Sequence, residues 1–148
     1  MNTKIRIAGI EPESIVDGDG IRYVIFTQGC PHHCPGCHNP ETHDFNGGKE
    51  MDVKDITCDF ARNPLLNGIT LSGGEPFCQE KACIKLADKA HSYGLDVWCY
   101  TGYTYDEVKD RELIKHIDVL VDGKFIESEK SLDLLFRGSK NQNIITLK

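Results

Sequence analysis

Residues 21–40 read IRYVIFTQGCPHHCPGCHNP, a β-prone apolar run that empties into cysteine, proline and glycine. The run 21–27 is rich in β-branched and aromatic side chains and predicts a strand. Beyond it, Cys30, Cys34 and Cys37 fall within eight residues at the spacing C-x3-C-x2-C. Pro31, Pro35 and Pro40 remove amide donors, and Gly29 and Gly36 permit unusual backbone angles, so neither a strand nor a helix continues here. What remains is a stiff loop that aims several thiolates at one place. Thiolates so arranged bind a soft metal centre, either an iron–sulfur cluster or zinc. An iron–sulfur cube is ordinarily held by four cysteines. Only three thiols are contiguous here, an arrangement that leaves one iron open to bind substrate. The alternative is a structural zinc knuckle in which His32, His33, His38 or His43 joins the three cysteines.

Outside this loop the chain has the size of one domain, 1–148, with a single core. Seventeen basic against 23 acidic residues give a net charge of −6, which argues against a nucleic-acid groove as the main surface. No apolar run has the length of a membrane span. MNTKIRIAGI at the start lacks an export signal's apolar region and cleavage site. Seven cysteines, three of them crowded together, do not suit a disulfide framework; reducing, cytoplasmic conditions fit better.

Read in order, KIRIAG at 4–9 alternates charged and apolar side chains as a half-buried strand does. Two Asp-Gly pairs, Asp17-Gly18 and Asp19-Gly20, make the link to the next strand a turn; too few oxygen ligands are present for a calcium loop. Residues 44–48 form another turn. Met51–Arg62 is expected to be helical, with Val53, Ile56 and Phe60 as its apolar face and Cys58 as a small packing residue. GITLSGGEPF at 68–77 is a short strand broken by Gly73-Gly74, whose missing Cβ atoms would let a ligand lie on the backbone, with Glu75 offering a carboxylate. A helix over 78–93 buries Ala82, Cys83, Leu86, Ala87 and Ala90 and ends at Gly94; Cys78 and Cys83 are read as packing residues. LDVWCY at 95–100 is a buried-type strand containing Cys99. Thr104 and Glu107 form a capping box, after which Val108, Leu113, Ile114 and Ile117 supply an apolar side, broken near Asp110. A strand at 117–121 ends in Asp122-Gly123-Lys124, and 144–147 is a closing strand. This alternation implies an α/β fold with a parallel sheet and helices outside it, and ligand chemistry in such folds collects at the strands' carboxyl ends.

The cysteine spacing resembles the signature of radical S-adenosylmethionine (SAM) enzymes. More narrowly, GCPHHCPGCHNPET resembles the activating proteins of anaerobic (class III) ribonucleoside-triphosphate reductase, as do DGDGIRYVIFTQGC before it and FRGSKNQ at 136–142. Gly36 stands where many radical SAM enzymes have an aromatic residue, a departure shared with the narrower family. The resemblance implies an incomplete (partial) β/α barrel of about five or six strands, since a full barrel takes about 200 residues or more. It implies a 4Fe–4S cluster on Cys30, Cys34 and Cys37 whose open iron chelates SAM. GGEP resembles the motif that holds the amino group of SAM, which assigns Gly73, Gly74 and Glu75. Gly36, Cys37 and His38 belong with the cofactor set, and Lys124 is placed to meet the SAM carboxylate. No side chain is singled out as catalytic beyond cluster and SAM. An electron from flavodoxin or a similar donor would cleave SAM to a 5′-deoxyadenosyl radical, which takes hydrogen from a glycine of the reductase large subunit. The resemblance assigns no role to Asp17, Asp19, Asp122, Arg137, Ser139, Asn141 or Gln142. A pyruvate formate-lyase type activase is the nearest alternative, although such chains are longer and FRGSKNQ favours the reductase. A non-enzymatic zinc module is the more distant one, and it leaves GGEP without purpose.

Overall fold

The computed structural model describes residues 3–32, 44–123 and 141–147, and these build one seven-stranded sheet. In chain order the elements are β1 (Lys4–Ser14), β2 (Arg22–Thr27), β3 (Lys49–Asp52), α1 (Val53–Ala61), β4 (Gly68–Gly73), α2 (Glu80–Ser92), β5 (Asp96–Tyr100), α3 (Tyr105–Val108), β6 (Val119–Asp122) and β7 (Asn143–Thr146). Short 3-10 turns at Pro76–Gln79 and Glu112–His116 precede α2 and β6. The sheet order is β3-β1-β2-β4-β5-β6-β7. Strands β2, β4, β5 and β6 are parallel, whereas β3, β1 and β7 join antiparallel at the two sides. The sheet is therefore mixed rather than purely parallel, and it has seven strands where five or six were expected.

Cross-strand rows show how its two faces differ. Ile25, Leu71, Cys99 and Leu120 stand side by side and belong to the main apolar core with Ile56 and Phe60 of α1 and Cys83, Leu86 and Ala90 of α2. One residue away, side chains point to the opposite face. There Val24, Thr70 and Trp98 form a second row, also buried.

Several expectations need correction. The helix expected over Met51–Arg62 begins at Val53, because Met51 and Asp52 pair with Ile5 and Lys4 in β3. Asp52 then serves as its N-cap, accepting from the Lys54 amide at 3.0 Å. Strand β1 runs on to Ser14 past Pro12, which sits at an irregularity between Glu11 and Ser14 and lies beyond the reach of β3. Cys58 is exposed; the inward position is taken by Thr57, whose hydroxyl donates to the Val53 carbonyl. Cys78 is also exposed, whereas Cys83 and Cys99 are fully buried as expected. The strand expected at 117–121 spans Val119–Asp122, with Ile117 buried ahead of it.

Arg22, unremarked in the sequence, is fully buried at the start of β2. Its Nε donates to Thr70 Oγ1 (2.7 Å), Nη1 to the Asp19 carbonyl (2.8 Å) and Nη2 to the Ile69 carbonyl (2.7 Å) and Asp96 Oδ1 (2.5 Å). The guanidinium carbon lies 5.4 Å from the centre of a Trp98 ring. Asp17 and Asp19 thus have structural roles: the Asp17 carboxylate accepts from Ser14 and its carbonyl from Thr70, while the Asp19 carbonyl receives Arg22. With Gly18 and Gly20 at positive φ, this bolts the turn to the strands' amino ends and leaves the carboxyl ends for chemistry.

Candidate active site at the strand carboxyl ends

The parallel register ends with Thr27 opposite Gly73, and both chains stay joined beyond their strands. The Gly74 amide donates to the Thr27 carbonyl at 2.7 Å, and the Glu75 amide to the Gly29 carbonyl at 2.8 Å. Gly29, at φ +104°, turns the chain so that Cys30 follows as a buried thiol. A Cβ on Gly73 would lie 2.5 Å from the Thr27 nitrogen, and one on Gly74 would be 2.8 Å from the Gly29 carbonyl carbon and overlap its oxygen. The space freed by the two glycines is thus filled by the segment leading to Cys30. Gly-Gly permits a backbone splice between the strand-end loop and the cysteine loop.

Glu75 is fully buried, and its carboxylate is saturated from inside the protein. Oε1 bonds His32 Nε2 (2.6 Å) and accepts from the Gly102 amide (2.8 Å). Oε2 accepts from the Thr101 hydroxyl (2.7 Å) and the Phe77 amide (3.3 Å), the latter capping the 3-10 turn. A buried carboxylate requires such a set, because desolvation without partners is prohibitive. The His32 ring also packs edge-on against Tyr103 at 4.6 Å, and any side chain at Gly102 would strike it. One carboxylate therefore joins the loop after β2, the loop after β4 and the turn after β5.

Next to this lies the end of β6. Asp122, at the strand end and without an assigned role, is 5% exposed, and its carboxylate accepts from the Tyr105 amide (2.7 Å) and the Asn143 amide (3.3 Å). The Gln142 side chain donates to the Gly123 carbonyl at 3.0 Å, a structural role for a residue the resemblance leaves unassigned. Burial raises the thiols of Cys83 and Cys99 well above the ordinary range, which suits packing and not metal binding.

Of the sequence-predicted site, Cys30, Gly73, Gly74 and Glu75 come together at one edge. Cys34, Gly36, Cys37, His38, Lys124, Arg137 and Ser139, with His33 and His43 of the zinc alternative, lie outside the described residues. Among the described residues no group of three or more His, Cys, Asp or Glu side chains forms a metal site. Cys30 nonetheless fits a thiolate-held cluster: it is buried, at a parallel strand's carboxyl end and next to a Gly-Gly turn. His32, an alternative zinc ligand, has its Nε2 committed to Glu75. The sequence reading misses His32 as the partner of Glu75, and it misses Thr101 and Gly102, which register only as the end of a strand.

Comparison with known proteins places these features in a family. Residues 16–145 match the 4Fe–4S single cluster domain. The anaerobic ribonucleoside-triphosphate reductase-activating protein of Salmonella typhi is 38% identical, covering 93% of this chain and 96% of its own. That of Escherichia coli K12 is 37% identical over the same shares, and that of Enterobacteria phage T4 is 35% identical, covering 91% of this chain and 90% of its own. Among solved structures, QueE from Escherichia coli superposes with a TM-score of 0.53 at 18% identity, covering 68% of this chain and 53% of QueE, a likeness of fold alone. With its 4Fe–4S single cluster domain, the chain belongs to the family of anaerobic ribonucleoside-triphosphate reductase-activating proteins.

Proposed function

We propose that the protein activates an anaerobic ribonucleoside-triphosphate reductase by generating a glycyl radical on its large subunit, using a 4Fe–4S cluster and SAM. The observation that carries this reading is the splice of Thr27 and Gly29, just ahead of Cys30, to Gly74 and Glu75 at the carboxyl edge of the parallel strands. It stands in a chain that resembles reductase-activating proteins over 93% of its length. Cys30, Cys34 and Cys37 would hold the cluster, which when bound would supply the electron for reductive cleavage of SAM and so the radical chemistry at a partner glycine.

The chain's own residues position and shield. Strand β2 delivers Cys30. Gly73, Gly74 and Glu75 hold the methionine end of SAM, chiefly through their backbone, because the Glu75 carboxylate already has four partners. Gly36, Cys37 and His38 complete the cofactor pocket, and Lys124, next after Gly123, meets the SAM carboxylate. With α1 and α2 packed on one face and a buried second face, the sheet suits an incomplete β/α barrel whose open side admits the partner's glycine loop. The whole of 1–148 acts as a single domain. A flavodoxin-like protein is the electron donor, and the cytoplasm is the compartment. No described helix is long and apolar enough to cross a membrane. The acidic balance offers no basic groove for nucleic acid.

Anaerobic reconstitution with iron and sulfide tests the proposal. The expected product is a brown protein with about four irons per chain, as a cube requires. Under dithionite it releases 5′-deoxyadenosine and gives a glycyl-radical EPR signal on the reductase. Replacing any one of the three cysteines by alanine abolishes SAM cleavage. A colourless protein that holds one zinc and leaves SAM intact would overturn the reading.

A further inference from the structure

The Glu75 carboxylate and the His32 ring are 43 positions apart in sequence and 2.6 Å apart in space. We infer that Glu75 acts by its side chain as a clamp on the start of the cysteine loop, with His32 as the loop's handle, and that this pair sets where Cys30 stands relative to the Gly73-Gly74 turn. The inference rests on the reading of Cys30, Cys34 and Cys37 as cluster ligands.

Three observations carry it. Both carboxylate oxygens are spent within the protein, on Gly102, Thr101, Phe77 and His32, and the residue is fully buried. Little is left of this side chain for a ligand's amino group. His32 sits midway between Cys30 and Cys34 and is the described loop side chain that reaches across to another strand end. Its side chain is 6% exposed, wedged against Tyr103 over a Gly102 that has no room for a Cβ. A ring held by a short charge-assisted bond and an edge-on aromatic contact has one orientation, so residues 30–32 beside it are held in place. The neighbouring backbone bonds fix Gly29, ahead of Cys30, and His32 fixes the chain behind it. Cys30 is therefore braced from both sides. His32 and Glu75 are positioning residues; neither needs to touch cluster or SAM.

The test compares Glu75→Gln, His32→Phe and the double variant. Glu75→Gln keeps the shape and several acceptor contacts, and His32→Phe keeps the aromatic contact with Tyr103 while removing the nitrogen. The reconstituted proteins are challenged with an iron chelator and the visible absorbance is followed. Each single variant should lose its cluster about tenfold faster, the factor that a hydrogen bond to a charged group represents. The double variant should be no worse than the more severe single one, because both remove the same link. The reduced-cluster EPR signal should broaden in all three, while KM for SAM changes less than cluster lifetime. Amide hydrogen exchange in the cluster-free protein should show residues 29–32 deprotected in each variant with the α2 amides unchanged, which a general loss of stability would not produce. Should Glu75→Gln fail to fold, Thr101→Val, which removes the Oε2 hydroxyl donor and the acceptor of the Tyr103 amide, takes its place.

Glu75→Gln with a normal cluster lifetime and a raised KM for SAM, together with a His32→Phe that behaves as wild type, would overturn the clamp and return the carboxylate to SAM. Additive effects in the double variant would overturn it as well. A wild-type protein that takes up no iron would sink the cluster reading instead, and the exchange measurement would still decide on the clamp.

Discussion

Replacing Gly74 by alanine tests the splice between the two loops most directly. Gly74 is not among the glycines at positive φ, so alanine meets no backbone strain there; the whole cost is spatial. The new methyl group would stand 2.8 Å from the Gly29 carbonyl carbon and 3.0 Å from its nitrogen. To regain ordinary separation those atoms must withdraw by about 1 Å. They are backbone, held by the bonds Gly74 N–H to Thr27 (2.7 Å) and Glu75 N–H to Gly29 (2.8 Å), so the movement stretches both. Two weakened hydrogen bonds at about 1 kcal/mol each, with some overpacking, put the loss at about 2–4 kcal/mol. That is a large part of the stability of a small domain. The displaced segment ends in Cys30, and a misplacement of about 1 Å near reacting groups can cost about a hundredfold in rate. Urea unfolding should therefore show a lower midpoint at unchanged slope, and SAM cleavage should fall further than the folded fraction does. Gly94→Ala is the matched control. Gly94 has φ +75° with nothing within 4 Å, so it carries strain without collision. It should cost about 1–2 kcal/mol and leave SAM cleavage by the folded protein unchanged. A Gly74→Ala protein within about 0.5 kcal/mol of wild type, the usual scatter of neutral surface changes, would refute the argument from close approach.

Other consequences follow from particular contacts. Arg22→Met should destabilise by about 3 kcal/mol, the low end for breaking a buried ion pair, since the Asp96 side chain is 49% exposed and rehydrates. Chemical denaturation reads it, and a loss under about 1 kcal/mol, the scale of an exposed pair, would contradict the bolted turn. For Glu80, burial alone would raise the carboxyl, but the Leu113 amide and Arg111 outweigh it and hold the group below the usual range. Its contribution to stability is thus present above the ordinary carboxylate value of about 4.3 and is lost as pH falls through the lower folded value. Glu80→Gln should accordingly lower stability at neutral pH and flatten its acid limb, and an unchanged limb would show that the carboxylate is not held in solution. Under native conditions a thiol reagent should label Cys58 and Cys78 while Cys83 and Cys99 stay protected until unfolding; mass spectrometry of the cluster-free protein distinguishes them.

Where a feature depends on neighbours in the chain, it is legible. The capping box at Thr104 and Glu107 is present, with the Thr104 amide donating to Glu107 Oε1 at 2.9 Å. The apolar spacing of Val53, Ile56 and Phe60, and that of Ala82 to Ala90, names the buried faces of α1 and α2. Gly94 is recognisable as a helix end and takes the positive φ that such an end requires. Legibility fails where a partner distant in sequence decides. Residues 49–52, KEMD, have no strand signature of their own and are a strand only because β1 offers its edge. Thr57 displaces Cys58 from the core because the helix phase favours it and its hydroxyl finds the Val53 carbonyl. Arginine is rarely buried, so nothing in IRYVIFT suggests that Arg22 anchors three other segments.

The same distinction separates the parts of the site. Three cysteines and a Gly-Gly-Glu stand out by their local spacing, yet the contacts the glycines and the glutamate make in this fold depend on partners distant in sequence. Sequence alone has the glycines making room for a ligand, but the nearest occupant of that room is the backbone of Thr27 and Gly29. It has Glu75 reaching for a ligand, but the protein saturates that carboxylate. Both contacts point the same way. Ordering a chain outside helices and strands costs about 1–2 kcal/mol per residue in backbone entropy. At residues 29–32 that cost has to be met by bonds to neighbouring segments. The fold meets that need by hydrogen-bonding Gly29 to the turn after β4 and His32 to a carboxylate that also grips the turn after β5. GGE is thus the socket of the chain that runs through Gly29 to His32.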